Sequence, residues 1–182
     1  MEDNKQTQQQ TEEREIFYIY LKMDPYLAQW LIHKHGGEPV EFPKNSIEND
    51  IIGVGLTTPP PMTRIDKNGN EVKVYEPDLP GEGKVAIVLP YFKYKDVRFY
   101  NFLPISARDS LVQCIRARFA VELWKDLYKF GYIGRQKQNL IYTWMASHGI
   151  EDTETNFLAI SKMYFRKRDA FRKQVKPNHK KS

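Results

Sequence analysis

Apolar and polar positions along this 182-residue chain follow one rhythm before Pro104 and another after it. Upstream, short runs of β-branched and aromatic residues separated by turn-forming ones predict strands. Downstream, apolar residues recur every three or four positions, the spacing of a helix face. Residues 1–14 have no apolar periodicity and a cluster of glutamines, and read as a disordered segment. Ile16 to Met23 predicts a buried strand. One helix interrupts the strand-rich half. Asp24 stands at its capping position, Pro25 at the first helical one and Gly36-Gly37 at its C-terminal end, with Leu27, Trp30, Leu31 and Lys34 spaced by three and four between them.

Between Gly37 and Leu56 the pattern is ambiguous, with short apolar stretches at Val40–Phe42 and Ile51–Leu56. Pro59-Pro60-Pro61 imposes an extended turn. Met62 to Tyr75 predicts a hairpin, with Asn68-Gly69 supplying positive φ angles. After a loop from Pro77 to Gly83, Lys84–Tyr94 and Val97–Leu103 predict two further strands joined at Lys95-Asp96. Beyond Pro104, Ser106 with Asp109 resembles a capping box that opens a long helix closed by Gly131. Val112, Ile115, Phe119, Leu123 and Leu127 form its core stripe, widened by Trp124 and Tyr128. Two more helices follow. Arg135–His148 carries Leu140, Ile141, Trp144 and Met145, and Gly149 ends it. Asp152 or Thr153 then caps a helix from Glu154 to Lys173 that carries Phe157, Ile160, Tyr164 and Phe171 on one face.

These elements predict an α+β fold. A mixed or antiparallel sheet within residues 16–103 is packed by two helices and followed by a C-terminal helical hairpin with a basic last helix. The expected organisation is a disordered segment 1–14, an α+β core 15–134, a helix-turn-helix-like region 135–174 and a basic disordered tail 175–182. The single cysteine, Cys114, excludes an intramolecular disulfide framework and any multi-thiolate metal site, and beside a helix stripe it reads as a small core residue. The acidic, polar N-terminus resembles neither a signal nor a transit peptide, and no apolar run could span a bilayer. The expectation is a soluble cytoplasmic protein with no membrane partner.

Charge changes the picture more than composition does. The formal net charge is +5, but Ser161–Ser182 holds nine Lys or Arg against one acid, Asp169, for +8. The other 160 residues therefore carry +5 minus +8, or −3. Excess positive charge gathered at one end attracts polyanions, of which nucleic acid is the commonest in a cytosol; a solvated helix face with a solubilising tail has the same composition. The candidate nucleic-acid-binding residues are Lys162, Arg166, Lys167, Arg168, Arg172, Lys173 and Lys176, with DNA favoured over RNA. Trp144, Gly149, Ile150 and Leu158 fall where a helix-turn-helix places apolar, Gly, apolar and apolar residues, while Met145, His148 and Thr155 depart from that pattern. Any antiparallel helical hairpin with a Gly cap carries similar residues. The alternative is an assembly subunit whose helical region docks on a protein partner or a second copy through Tyr164, Phe165 and Phe171.

Other chemistry is sparse, and the expectation is a non-enzyme without a cofactor. Tyr91 to Tyr100 interleaves rings with Lys93, Lys95 and Arg98, a composition that can stack single-stranded bases, but strand alternation favours core packing. His33 and His35 lack acidic or thiol partners at metal-ligand spacing and sit at a helix C-terminus. Asp66 with Glu71 and Lys73 has the order of a metal-dependent nuclease, yet the tight hairpin makes them ordinary solvent-side residues.

Overall fold

A computed structural model describes residues 15–74, 79–128 and 137–175. The segment 1–14, Gly131, Lys176 and the rest of the tail lie outside the described residues. The fold is α+β, with elements in the order β1 (Tyr18–Lys22), α1 (Pro25–Lys34), α2 (Ile47–Gly55), β2 (Met62–Ile65), β3 (Glu71–Val74), β4 (Lys84–Val88), α3 (Ile105–Tyr128), α4 (Lys137–Ser147) and α5 (Glu154–Val175).

The β component is smaller than the sequence predicts. β1 pairs antiparallel with β4, from Tyr18 opposite Val88 to Lys22 opposite Lys84, so Ile19 and Leu21 enter the core beside Ile87 and Val85. Val40 adds a single parallel bridge to Ile87. The β2–β3 hairpin forms as expected, but Asn68 does not take a positive φ. The Gly69 amide closes a turn on the Asp66 carbonyl, and Gly69 alone goes left-handed, at φ 83°.

Two expectations fail here, and one ambiguous stretch is resolved. Residues 89–104 are not strands: two consecutive turns replace them, with isolated bridges at Phe92–Lys95 and Thr57–Phe102. The apolar stretch Ile51–Leu56 belongs to helix α2, whose N-terminus is capped by the Ser46 hydroxyl accepting from the Asn49 amide at 3.2 Å. Ser106 does not cap α3, because the helix has already begun at Ile105 and the Arg108 amide donates to the Pro104 carbonyl.

The long α3 is the hub. Its stripe Leu111, Ile115, Phe119, Leu123 and Leu127 is buried, with Leu111 taking the place expected of Val112, which is half-buried. Phe119 meets Trp30 of α1 edge-on at 5.4 Å, Trp144 of α4 edge-on at 5.4 Å and Tyr26 at 5.2 Å. Each such aromatic pair adds about 1 kcal/mol beyond area burial. Trp124 and Tyr128 receive Phe171 of α5 at 5.6 and 5.1 Å. One hydrophobic cluster thus runs from β1 and β4 through α3 to Ile160 and Tyr164 of α5.

Candidate nucleic-acid interface

The position of α5 is fixed at its start. The Thr153 hydroxyl accepts from the Asn156 amide at 3.2 Å, the ordinary cap of a helix N-terminus. The Gln29 side-chain oxygen of α1 accepts from the Glu151 amide at 3.0 Å and from the Asn156 side chain at 3.2 Å. The preceding turn is a Schellman motif, in which the Ile150 amide donates back to Met145 and Gly149 is left-handed at φ 68°. Ile150 is buried beneath it. From this clip the helix extends for 22 residues, about 33 Å at the standard rise.

A helix turns about 100° per residue, so the basic positions of α5 separate into groups. Lys162, Arg166 and Lys173 point the same way, into solvent, and Lys167 lies on the adjoining flank. Arg168 and Arg172 lie on the opposite flank. Arg168 is half-buried, folded over the Phe165 ring at 4.7 Å and hydrogen-bonded to Asp169 at 3.0 and 3.1 Å. The candidate residues are therefore not one patch. Arg168 is engaged by Phe165 and Asp169 within α5, while Lys162, Arg166, Lys167, Arg172 and Lys173 are exposed, and Lys176 lies outside the described residues.

Three of the exposed cations line a cleft of about 450 Å³. Lys162, Arg166 and Lys167 form one wall, Asp24 and Tyr26 the other, with Arg116 of α3 beside them. Among the described residues no carboxylate pairs with Lys162, Arg166 or Lys167, whereas Arg98, Arg116 and Arg118 each face one. Asp24 occupies the capping position of α1 without a side-chain capping bond; its carboxylate accepts from Arg116 at 2.9 Å instead. Burial, reinforced by Asp24, raises the Tyr26 hydroxyl above the usual tyrosine pKa, and Arg116 opposes that shift. Four cations against one carboxylate leave this cleft with a formal +3. Nothing local in the α3 or α1 sequence marks Arg116 and Tyr26; they join the site only through the packing of α3, α1 and α5.

The remaining candidates resolve individually. Leu158, which a helix-turn-helix would bury, is 57% exposed, so the hairpin of α4 and α5 departs from that motif. Tyr164, Phe165 and Phe171 spend their rings on Trp124, Tyr128 and Arg168 within the chain. The Asp66 carboxylate accepts from the Asn68 and Asn70 amides, which hold it below the usual carboxylate range and commit it to the turn. His33 packs on Gly149, and the His35 ring nitrogen Nδ1 lies 3.0 Å from the Glu41 carbonyl. Cys114 is half-buried, and burial pushes its thiol up. Among the described residues no three His, Cys, Asp or Glu side chains group to hold a metal, and no helix is long and apolar enough to cross a membrane. Comparison with family models, curated proteins and solved structures finds no match to this chain.

Proposed function

We propose that this chain is a non-enzymatic nucleic-acid-binding protein, an accessory or regulatory factor, that grips a phosphate backbone, DNA before RNA, along the solvent face of α5. The observation that carries the reading is the wall formed by Lys162, Arg166 and Lys167: exposed, within two helical turns of one another, and, among the described residues, paired with no carboxylate. A cation already paired must surrender its partner before it meets a phosphate. These three need not, and each phosphate they neutralise releases condensed counterions. Lys173 extends the same face by two turns, and Arg166 can hold phosphate bidentately. Docking would be along the face of the helix rather than by insertion of a helix-turn-helix.

The test is fluorescence anisotropy with labelled duplex and single-stranded DNA and RNA, comparing wild type with Lys162→Gln/Arg166→Gln/Lys167→Gln. The expected result is at least a tenfold loss of affinity at low salt and an unchanged Tm. The log–log salt slope should shrink by about 0.9 for each duplex phosphate that the variant no longer neutralises. Unchanged affinity overturns the reading. Substitution is preferable to truncation ahead of Lys162, which would also strip Tyr164 and Phe171 from the packed helices.

A further inference from the structure

We infer that the segment from Tyr91 to Tyr100 is a second contact, a platform on which unpaired bases of single-stranded DNA stack. This rests on reading the chain as a DNA-binding protein, but it uses another side of the molecule. Arg116 faces the α5 cleft and Arg118 faces Glu48 of α2; two residues apart on α3, they point roughly 200° apart. The 91–100 segment packs on α2, the side to which Arg118 points.

Strand alternation would hide half of these rings. The two turns do the opposite. The Lys95 amide donates to the Phe92 carbonyl, and the Asp96 carbonyl accepts from the Phe99 and Tyr100 amides at 3.0 and 2.9 Å. Three anchors pin this path from below. Phe92 lies so close over Gly53 that a Cβ there would stand 2.7 Å from its ring, and Val97 is buried. The Lys95 ammonium donates to the carbonyls of Gly53, Val54 and Leu56 at 2.7, 3.2 and 2.9 Å, closing the C-terminus of α2. With these side chains held inward, Tyr94 is 88% exposed, Tyr91 66% and Phe99 63%. Rings presented on a fixed backbone lose little conformational freedom when a ligand covers them.

Charge identifies the ligand. Residues 91–100 hold three cations and one acid, +2, and the rest of residues 1–160 therefore carries −3 minus +2, or −5. Lys95 is committed to the α2 carbonyls and Arg98, 6.0 Å from the Phe99 centroid, is paired with Asp96, so among the described residues the cation left for a backbone phosphate is Lys93, 5.5 Å from the Tyr94 centroid. Exposed aromatics beside a cation accept bases face-on while the cation meets the backbone, and no base identity is required. Beside Tyr94 a cleft of about 420 Å³ opens toward Asn49, Asp50 and Val54 of α2.

The experiment uses the full chain with three probes: labelled oligothymidylate, an abasic strand of equal length, and a duplex. Wild type should prefer oligothymidylate to the abasic strand. Tyr94→Ala/Phe99→Ala should lose about tenfold in oligothymidylate affinity with abasic and duplex binding unchanged, and Tyr94→Trp should retain it. Both rings are exposed, so Tm should not move. The Lys162→Gln/Arg166→Gln/Lys167→Gln protein should weaken on all three probes while keeping the preference for bases. If the aromatic variant still distinguishes oligothymidylate from the abasic strand as wild type does, the platform is overturned and the α5 reading stands. If instead that variant abolishes self-association in sedimentation and leaves oligothymidylate binding intact, the surface joins copies of the chain, and the proposal is equally overturned.

Discussion

Gly149 rests directly on His33: a Cβ built at position 149 would stand 2.5 Å from the His33 ring carbon Cδ2. The turn that launches α5 is thereby registered against the end of α1, and with it the direction in which the basic face points.

Gly149→Ala should therefore be costly twice over. It forces a left-handed backbone on an L-residue and overpacks the His33 contact, for a total of about 3 kcal/mol. Removing the obstacle in His33→Ala/Gly149→Ala should recover the steric part and leave about 1 kcal/mol. Urea denaturation of the two variants separates the contributions; equal losses would mean that the His33 contact does not set the turn.

Arg166 and Arg168 differ by two positions and should differ in kind. Arg166→Gln should weaken duplex binding several-fold with no change in stability, since its side chain is exposed and, among the described residues, pairs with no carboxylate. Arg168→Gln should leave binding nearly intact and cost about 0.5–1 kcal/mol, the worth of its seat over Phe165. Paired anisotropy and thermal melts check both, and equal reductions in affinity would contradict the division of α5 into two flanks.

His35 should make stability fall as acid is added. Burial lowers its pKa below that of a free imidazole, so the unfolded chain takes up the proton more readily than the folded one. The contribution is present above about pH 6.5 and is lost as pH falls through the folded-state value. In His35→Gln the slope of unfolding free energy below about pH 6.5 should flatten, as measured by denaturant midpoints in a pH series.

Glu48 is a buried carboxylate, 1% exposed, held by Arg118 at 2.5 Å. Its other oxygen has no hydrogen-bond partner among the described residues. Arg118→Ala would strand that charge. Because the arginine is itself half exposed, the expected cost is about 2 kcal/mol, below the range for fully buried pairs. Glu48→Gln/Arg118→Ala should cost less than the sum of the single changes, a double-mutant cycle readable by chemical denaturation.

The sequence reveals some elements of this fold and conceals others for physical reasons. α1 is legible because its signals are local: Pro25 begins it and Gly36 follows its end, even though the Asp24 carboxylate turns out to serve Arg116. α2 is illegible because it contains two glycines that disfavour a helix, and their reasons lie elsewhere in the chain. Gly53 makes room for Phe92, and Gly55 for Ala107 and Leu103, while Lys95 supplies the stop signal from about forty residues away. The rings of residues 91–100 imitate a strand because aromatic and β-branched residues favour one, whatever their burial turns out to be. The basic helix is visible in composition alone, but its separation into a free wall and a pinned flank depends on Asp169, Phe165 and the neighbouring α3.

The β2–β3 hairpin finally has a consequence of its own. Among the described residues its strands pair chiefly with each other, and Ile65 stands 75% exposed. An isolated two-stranded ribbon is marginal in water. Its pairing can come apart while the cluster around Phe119 stays intact. In heavy water its amides would exchange through this private opening, long before those of α3 report the loss of the whole molecule.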